Sequence, residues 1–159
     1  MFEKKKTILF ITRSKVRVIT VTIKSKPDAK IIQELDWTGS NLDGVFLKIK
    51  KTIKKNVDIL LGEEFVYVAT ISYPQGSPIT RDIVQKKAQE LIPENLDETV
   101  WDFKETSTIQ VVAVVESFLE QISKSVANAN IDVNSIEPLS YSLARFTKKL
   151  AFPILFIYI

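Results

Sequence analysis

The chain has 159 residues, 45% of them hydrophobic and 26% charged, with a formal net charge of +3 and a pI near 9.0. That length and balance suit one globular domain, or two small ones sharing a sheet, and exclude a disordered chain. Cysteine and histidine are both absent. Disulfides, thiolate metal sites and histidine acid–base chemistry are therefore excluded, and any catalysis is left to carboxylates, lysine, tyrosine or hydroxyls.

In chain order, Thr7 to Arg13 and Val16 to Lys24 are β-rich runs joined at Ser14-Lys15, which predicts a hairpin. A turn centred on Pro27 leads to a third strand, Ala29 to Trp37, completing a meander. Ser40 is the expected N-cap of an amphipathic helix over Asn41 to Lys55, with Asp43 as its capping-box partner. Phe65 to Ser72 is read as the fourth strand. Three meander strands, a helix and then a strand form the opening of a ribonuclease H-like or actin-like α/β (α+β) domain.

After a turn at Tyr73 to Pro78, Thr80 begins a second helix that runs to about Ile92. Thr99 to Thr106 and Ile109 to Val115 are expected antiparallel neighbours, followed by a helix over 116 to 129 that closes on a left-handed Asn130. Ile131 to Pro138 predicts another strand and Ser140 to Lys149 a short helix. The stretch from Leu150 to Ile159 is the most apolar of the chain. It is too short to cross a bilayer, which takes about 20 helical residues, and Pro153 disfavours a helix interior. A buried parallel strand explains it, so the expectation is a fragment or natural truncation of a longer protein.

The order of three features carries a resemblance. They are the Ser-x-Pro-x-Gly turn at Ser72 to Gly76 before Thr80-Arg81, the strands around Trp101-Asp102-Phe103 and Val111-Val112-Ala113, and Ile136-Glu137-Pro138 before Leu143-Ala144-Arg145. Together they resemble the PilM family of type IV pilus assembly proteins, relatives of FtsA and of the cytoplasmic part of type II secretion GspL proteins. The resemblance implies an actin-like core from residues 1–75 and 108–159, with 76–107 as part of a small inserted α+β subdomain. It also implies a cytoplasmic protein recruited peripherally to the inner membrane. Its partner would be a single-pass membrane protein of the PilN or GspL/GspM kind, docking a short segment between subdomain and core. A homodimer is a further expectation. Partner-binding candidates are Tyr73, Gln75, Thr80 and Arg81, at the entry to the inserted subdomain; a plain turn and helix cap is the competing reading.

Intact relatives carry Asp and then Gly in the first strand-turn-strand, for metal and phosphate. Here Phe10 and Thr12 stand at those positions. The degenerate loop Thr12, Arg13, Ser14, Lys15 keeps the means to attract an anion but not the close backbone approach. No catalytic residue, metal or cofactor is therefore expected, and ATP with Mg only in a longer, less degenerate form. The absence of any acidic residue between Thr7 and Arg17 argues against a metal-dependent nuclease. Trp37, Trp101 and Phe103 are read as core rather than as a binding platform, and Asp97, Glu98, Asp102 and Glu105 as a solvated edge. The leading expectation is a non-catalytic scaffold. Its rivals are a nucleotide-binding actin-like ATPase fragment, and a basic nucleic-acid-binding domain using Lys48, Lys50, Lys51, Lys54 and Lys55. Nucleic acid is not the expected partner: a solvated helix face accounts for those lysines.

Overall fold

The computed structural model describes residues 4–23, 28–53, 56–73, 78–105 and 107–142. Two sheets organise them. The larger has strands β1 (Lys4–Ile11), β2 (Lys15–Ile23), β3 (Asp28–Asp36), β4 (Val57–Leu61) and β8 (Val133–Pro138), in the order β3-β2-β1-β4-β8. The smaller holds β5 (Val66–Ile71), β6 (Thr99–Glu105) and β7 (Ile109–Val115), in the order β5-β7-β6. The helices are α1 (Leu42–Lys50), α2 (Arg81–Gln89) and α3 (Glu116–Asn128). No helix among the described residues is long and apolar enough to cross a membrane.

The first sheet follows from its residue pattern. β1, β2 and β3 form the expected antiparallel meander, with Leu9 opposite Val18 and Ile11 opposite Val16. β4 and β8 then add in parallel, with Leu9 beside Ile59 and Ile59 beside Ile136. Leu9, Ile11, Val16, Val18, Ile59 and Leu61 share one face and pack with Phe46, Ile49, Ile122 and Val126 of α1 and α3 in the first core. This order and these directions are those of the ribonuclease H-like first domain of the actin-like fold, mixed α/β as expected.

Sequence reading went astray at the strand after α1. That strand is Val57–Leu61, not Phe65–Ser72; the latter, as β5, pairs with β7 in the second sheet. Val57, Ile59 and Leu61 alternate buried with half-buried Asp58 and Leu60, a period of two in a run short enough to pass for a loop. β7 joins β5 and β6 in this second sheet, antiparallel to β6 as expected. The second sheet has its own core, in which Ala69, Ile71, Val111 and Ala113 pack on Val84, Ala88 and Ile92 of α2 and its C-terminal turn.

The expected capping box at α1 is not formed. Asn41 is the N-cap, without a side-chain cap bond, and its Oδ1 accepts from the Thr38 N–H at 2.8 Å. Asp43 instead faces α3, where the Ser125 hydroxyl donates to its Oδ1 and the Asn128 amide to its Oδ2. A carboxylate between two packed helices satisfies a buried hydroxyl, a stronger demand than an exposed helix end. The left-handed Asn130 is as expected, at φ 51°. Residues 139–142 are helical; the remainder of the helix expected to Lys149, and the final strand from Phe152, lie outside the described residues.

Phe46 is fully buried at the centre of the first core. Phe46→Ala should lower stability by about 3–5 kcal/mol, measured by urea denaturation. A loss under 1 kcal/mol would mean that this core is not the one described.

Candidate functional site: a closed hairpin and an apolar groove

In open α/β sheets ligands collect at the carboxyl ends of parallel strands. Here those ends are Ile11, Leu61 and Pro138, side by side in register. The turn of the β1–β2 hairpin, Thr12 to Ser14, closed by Lys15 of β2, rises from the first, and the turn Gly62 to Phe65 from the second.

The hairpin satisfies its own polar groups. The Thr12 N–H donates to the Lys15 carbonyl at 2.9 Å, and the Lys15 N–H donates to Thr12 Oγ1 at 3.2 Å. Trp37 covers the turn from above. Its backbone N–H reaches the Ser14 carbonyl at 2.9 Å, and its indole Nε1–H reaches the Thr12 carbonyl at 2.7 Å. Phe65 and Phe118 stack at 4.0 Å, and Trp37 lies within 6.3 Å of both rings. The Arg13 N–H is held by Glu64 Oε1 at 2.5 Å.

The charged groups are equally occupied. Lys15 Nζ lies 2.7 Å from Glu34 and 3.1 Å from Asp36, and Arg17 Nε lies 2.5 Å from Glu34. The hydrogen bond to Glu34, then that to Asp36, pushes the Lys15 ammonium above its ordinary value. The Glu34 carboxyl is held below its own by Lys15 first and Arg17 second. Phe10, where the resemblance implies an Asp, is 8% exposed, with the Arg17 guanidinium over its ring at 6.0 Å. A nucleotide phosphate needs free N–H groups and a carboxylate-held metal at this place. The residues present do not fit it: the N–H groups of Thr12, Arg13 and Lys15 are taken, and Phe10 offers an apolar ring rather than a carboxylate. Asp58, on β4, is engaged by Lys6 at 3.2 Å and by the Ser135 hydroxyl at 3.3 Å. Among the described residues no group of acidic side chains is arranged to hold a metal.

The partner-binding candidates separate. Thr80 is the N-cap of α2, its hydroxyl oxygen accepting from the Ile83 N–H. The Tyr73 hydroxyl donates to the Pro78 carbonyl at 3.1 Å and its ring carries Lys87 at 4.9 Å. Both fit the competing reading of a turn and a cap. Gln75 lies outside the described residues. Arg81 does more: its guanidinium lies 3.9 Å over Trp101, donates to the Trp101 carbonyl at 2.9 Å and pairs with Asp102 at 3.7 Å.

Trp101 and Asp102 line a concave surface whose other lining residues sequence reading did not single out as site residues. It lies between the second sheet and the α3–β8 side of the first, with Leu61, Val100, Val112, Leu119, Ile136 and Tyr141 in its walls. Val66 and Val68 of β5 and Val100 of β6 flank Val114 and Val112 of β7 in register, so one face of the small sheet is paved with valine. Val100 is 52% exposed and Ile136 36%. Burial, then the charge of Asp102, pushes the Tyr141 hydroxyl above its ordinary value. The only hint in the sequence was an excess of β-branched residues, Val66, Val68, Val100, Val112 and Val114, in strands with another face already apolar.

The pairing of Glu34 contributes stability above its ordinary carboxyl value of 4.5 and loses it as pH falls through the lowered folded-state value. Glu34→Gln should therefore flatten the acid limb of stability against pH and leave the region near neutrality with the smaller slope change, as followed by thermal denaturation.

No family model matches the chain, and no curated protein matches it in sequence. Solved structures match its fold. The PilM–PilN type IV pilus biogenesis complex aligns with a TM-score of 0.66 at 16% identity, over 92% of this chain and 51% of that one. The cytoplasmic domain of EpsL, an inner-membrane component of the type II secretion system of Vibrio cholerae, gives 0.62 at 13% identity, over 85% and 57%. A Bacteroides thetaiotaomicron protein with an actin-like ATPase fold and unknown function gives 0.57 at 8% identity, over 91% and 56%. The chain thus spans 51–57% of the length of these structures. At such identities the likeness is one of fold, and the fold of this chain is actin-like.

Proposed function

We propose that this chain is a non-catalytic adaptor of a type IV pilus or type II secretion platform. It docks a short cytoplasmic segment of a PilN-like or GspL/GspM-like membrane protein in the groove between its two sheets. The observation that carries this reading is the valine-paved groove itself. A monomeric surface seldom leaves several apolar side chains exposed in one concave patch without a partner, and an extended peptide suits a site walled by sheet edges and one helix. In this reading 76–107 lies within an inserted unit whose strands reach β5 and β7, and Arg81 braces the groove wall through Trp101. The chain is then cytoplasmic and peripheral to the inner membrane. The occupied hairpin supports the absence of nucleotide turnover.

The test is fluorescence anisotropy with labelled peptides tiled over the cytoplasmic segments of single-pass proteins encoded beside this chain. One peptide should bind, and Val100→Asp and Ile136→Asp should each weaken it at least about tenfold, or 1.4 kcal/mol, with unchanged circular dichroism. Binding indifferent to both substitutions would remove the groove from the proposal. A parallel titration with labelled ATP should show no micromolar binding; such binding, lost on changing Ser14 and Lys15, would favour the ATPase fragment instead.

A further inference from the structure

We propose that Glu64 is a built-in anion: its carboxylate occupies the seat at the Arg13 N–H that a phosphate oxygen would take, and thereby keeps phosphate out of the hairpin. The inference rests on reading the hairpin as a former phosphate loop, and extends it from loss of a site to self-occupation of one. Three observations carry it.

The contact is anion to backbone. Glu64 Oε1 accepts the Arg13 N–H at 2.5 Å, a short hydrogen bond of the class with one charged partner, which is stronger than a neutral one. Among the described residues no lysine or arginine pairs with Glu64, the Arg13 guanidinium included, and the other cation of the turn, Lys15, is taken by Glu34 and Asp36. The carboxylate is seated by the N–H alone, as an external anion would be.

Room for it is made by its neighbour. A Cβ at residue 62 would stand 2.3 Å from Glu64 Oε2 and 2.7 Å from its carboxyl carbon. Glycine at that position is what lets the side chain fold back over its own turn. Any other residue would push the carboxylate off the hairpin.

The turn is also fixed in place. The Gly62 N–H continues the β1–β4 ladder onto the Ile11 carbonyl at 2.8 Å, Phe65 is stacked on Phe118, and the adjacent Glu63 accepts the Ser140 N–H at 2.7 Å. Glu64 is therefore delivered to Arg13 by a braced turn. A carboxylate and a phosphate present the same chemistry to such an N–H, anionic oxygen at hydrogen-bond distance.

The experiment follows the Arg13 amide of the full chain by 15N NMR while inorganic phosphate is added. In the wild type the signal should stay still. In Glu64→Ala, and independently in Gly62→Ala, it should move saturably with a dissociation constant on the order of 10 mM. The glycine variant keeps the test open should the first variant fail to fold. A wild-type amide that titrates as the variants do, or an amide that stays still in both variants, overturns the proposal. Peptide binding in the groove is read by a separate signal, so failure there leaves this inference standing.

Discussion

The parallel pairing of β1 with β4 is the contact on which the rest of the molecule depends. Its register sets Ile11 beside Leu61 and carries the ladder one step further, to the Gly62 N–H. A slip of one residue would turn every side chain of β4 to the other face and remove Ile59 and Leu61 from the core. It would also take the turn that follows away from the hairpin. The seating of Glu64 on the Arg13 N–H, the aromatic lid of Trp37, Phe65 and Phe118, and the departure of β5 into a second sheet all start from that alignment.

Helix α3 gives the two sheets a common wall. Ile122 and Val126 belong to the first core, while Leu119 and Ser123 line the groove. One helix thus buries one stripe and, in the proposed function, offers another to an incoming segment. The polar bonds between α1 and α3, from Ser125 and Asn128 to Asp43, fix their relative rotation and so the direction in which that second stripe points. The groove is walled by strands and a helix, so the proposed binding would need little ordering on this side.

Local chemistry was readable where one element's own residues decide its form. The meander, the Thr80 cap, the antiparallel pair β6–β7 and the left-handed Asn130 all follow from period, capping or turn preference. Trp37 was rightly read as core. What escaped was set by distant partners. Val57 to Leu61 becomes a strand because β1 and β8 flank it, and β5 joins the second sheet because β7 pairs with it. Asp43 abandons the cap for Ser125, many residues away. Of the site, Phe10 and Thr12 stood out only through the resemblance, against the Asp and Gly that it implies; taken alone they are ordinary hairpin residues. Glu64 carried no such mark, since a surface glutamate after a glycine turns back onto a hairpin only when the register of another strand delivers it there. Ile136 and Tyr141 likewise became groove residues only through packing.

One consequence of the topology concerns time rather than form. β4 ends at Leu61 and its parallel neighbour β8 begins at Val133, so the larger sheet is completed across a chain loop that contains the whole of the smaller one. Loop closure of that length is entropically costly in an open chain, and non-local parallel pairing is slow to form. Once β5, α2, β6 and β7 have folded around their own core, the ends of the loop are already brought near each other. The small sheet then acts as a folding clamp, and synthesis from the N-terminus supplies it before β8 exists. The order in which this chain leaves the ribosome is thus the order in which its search becomes short.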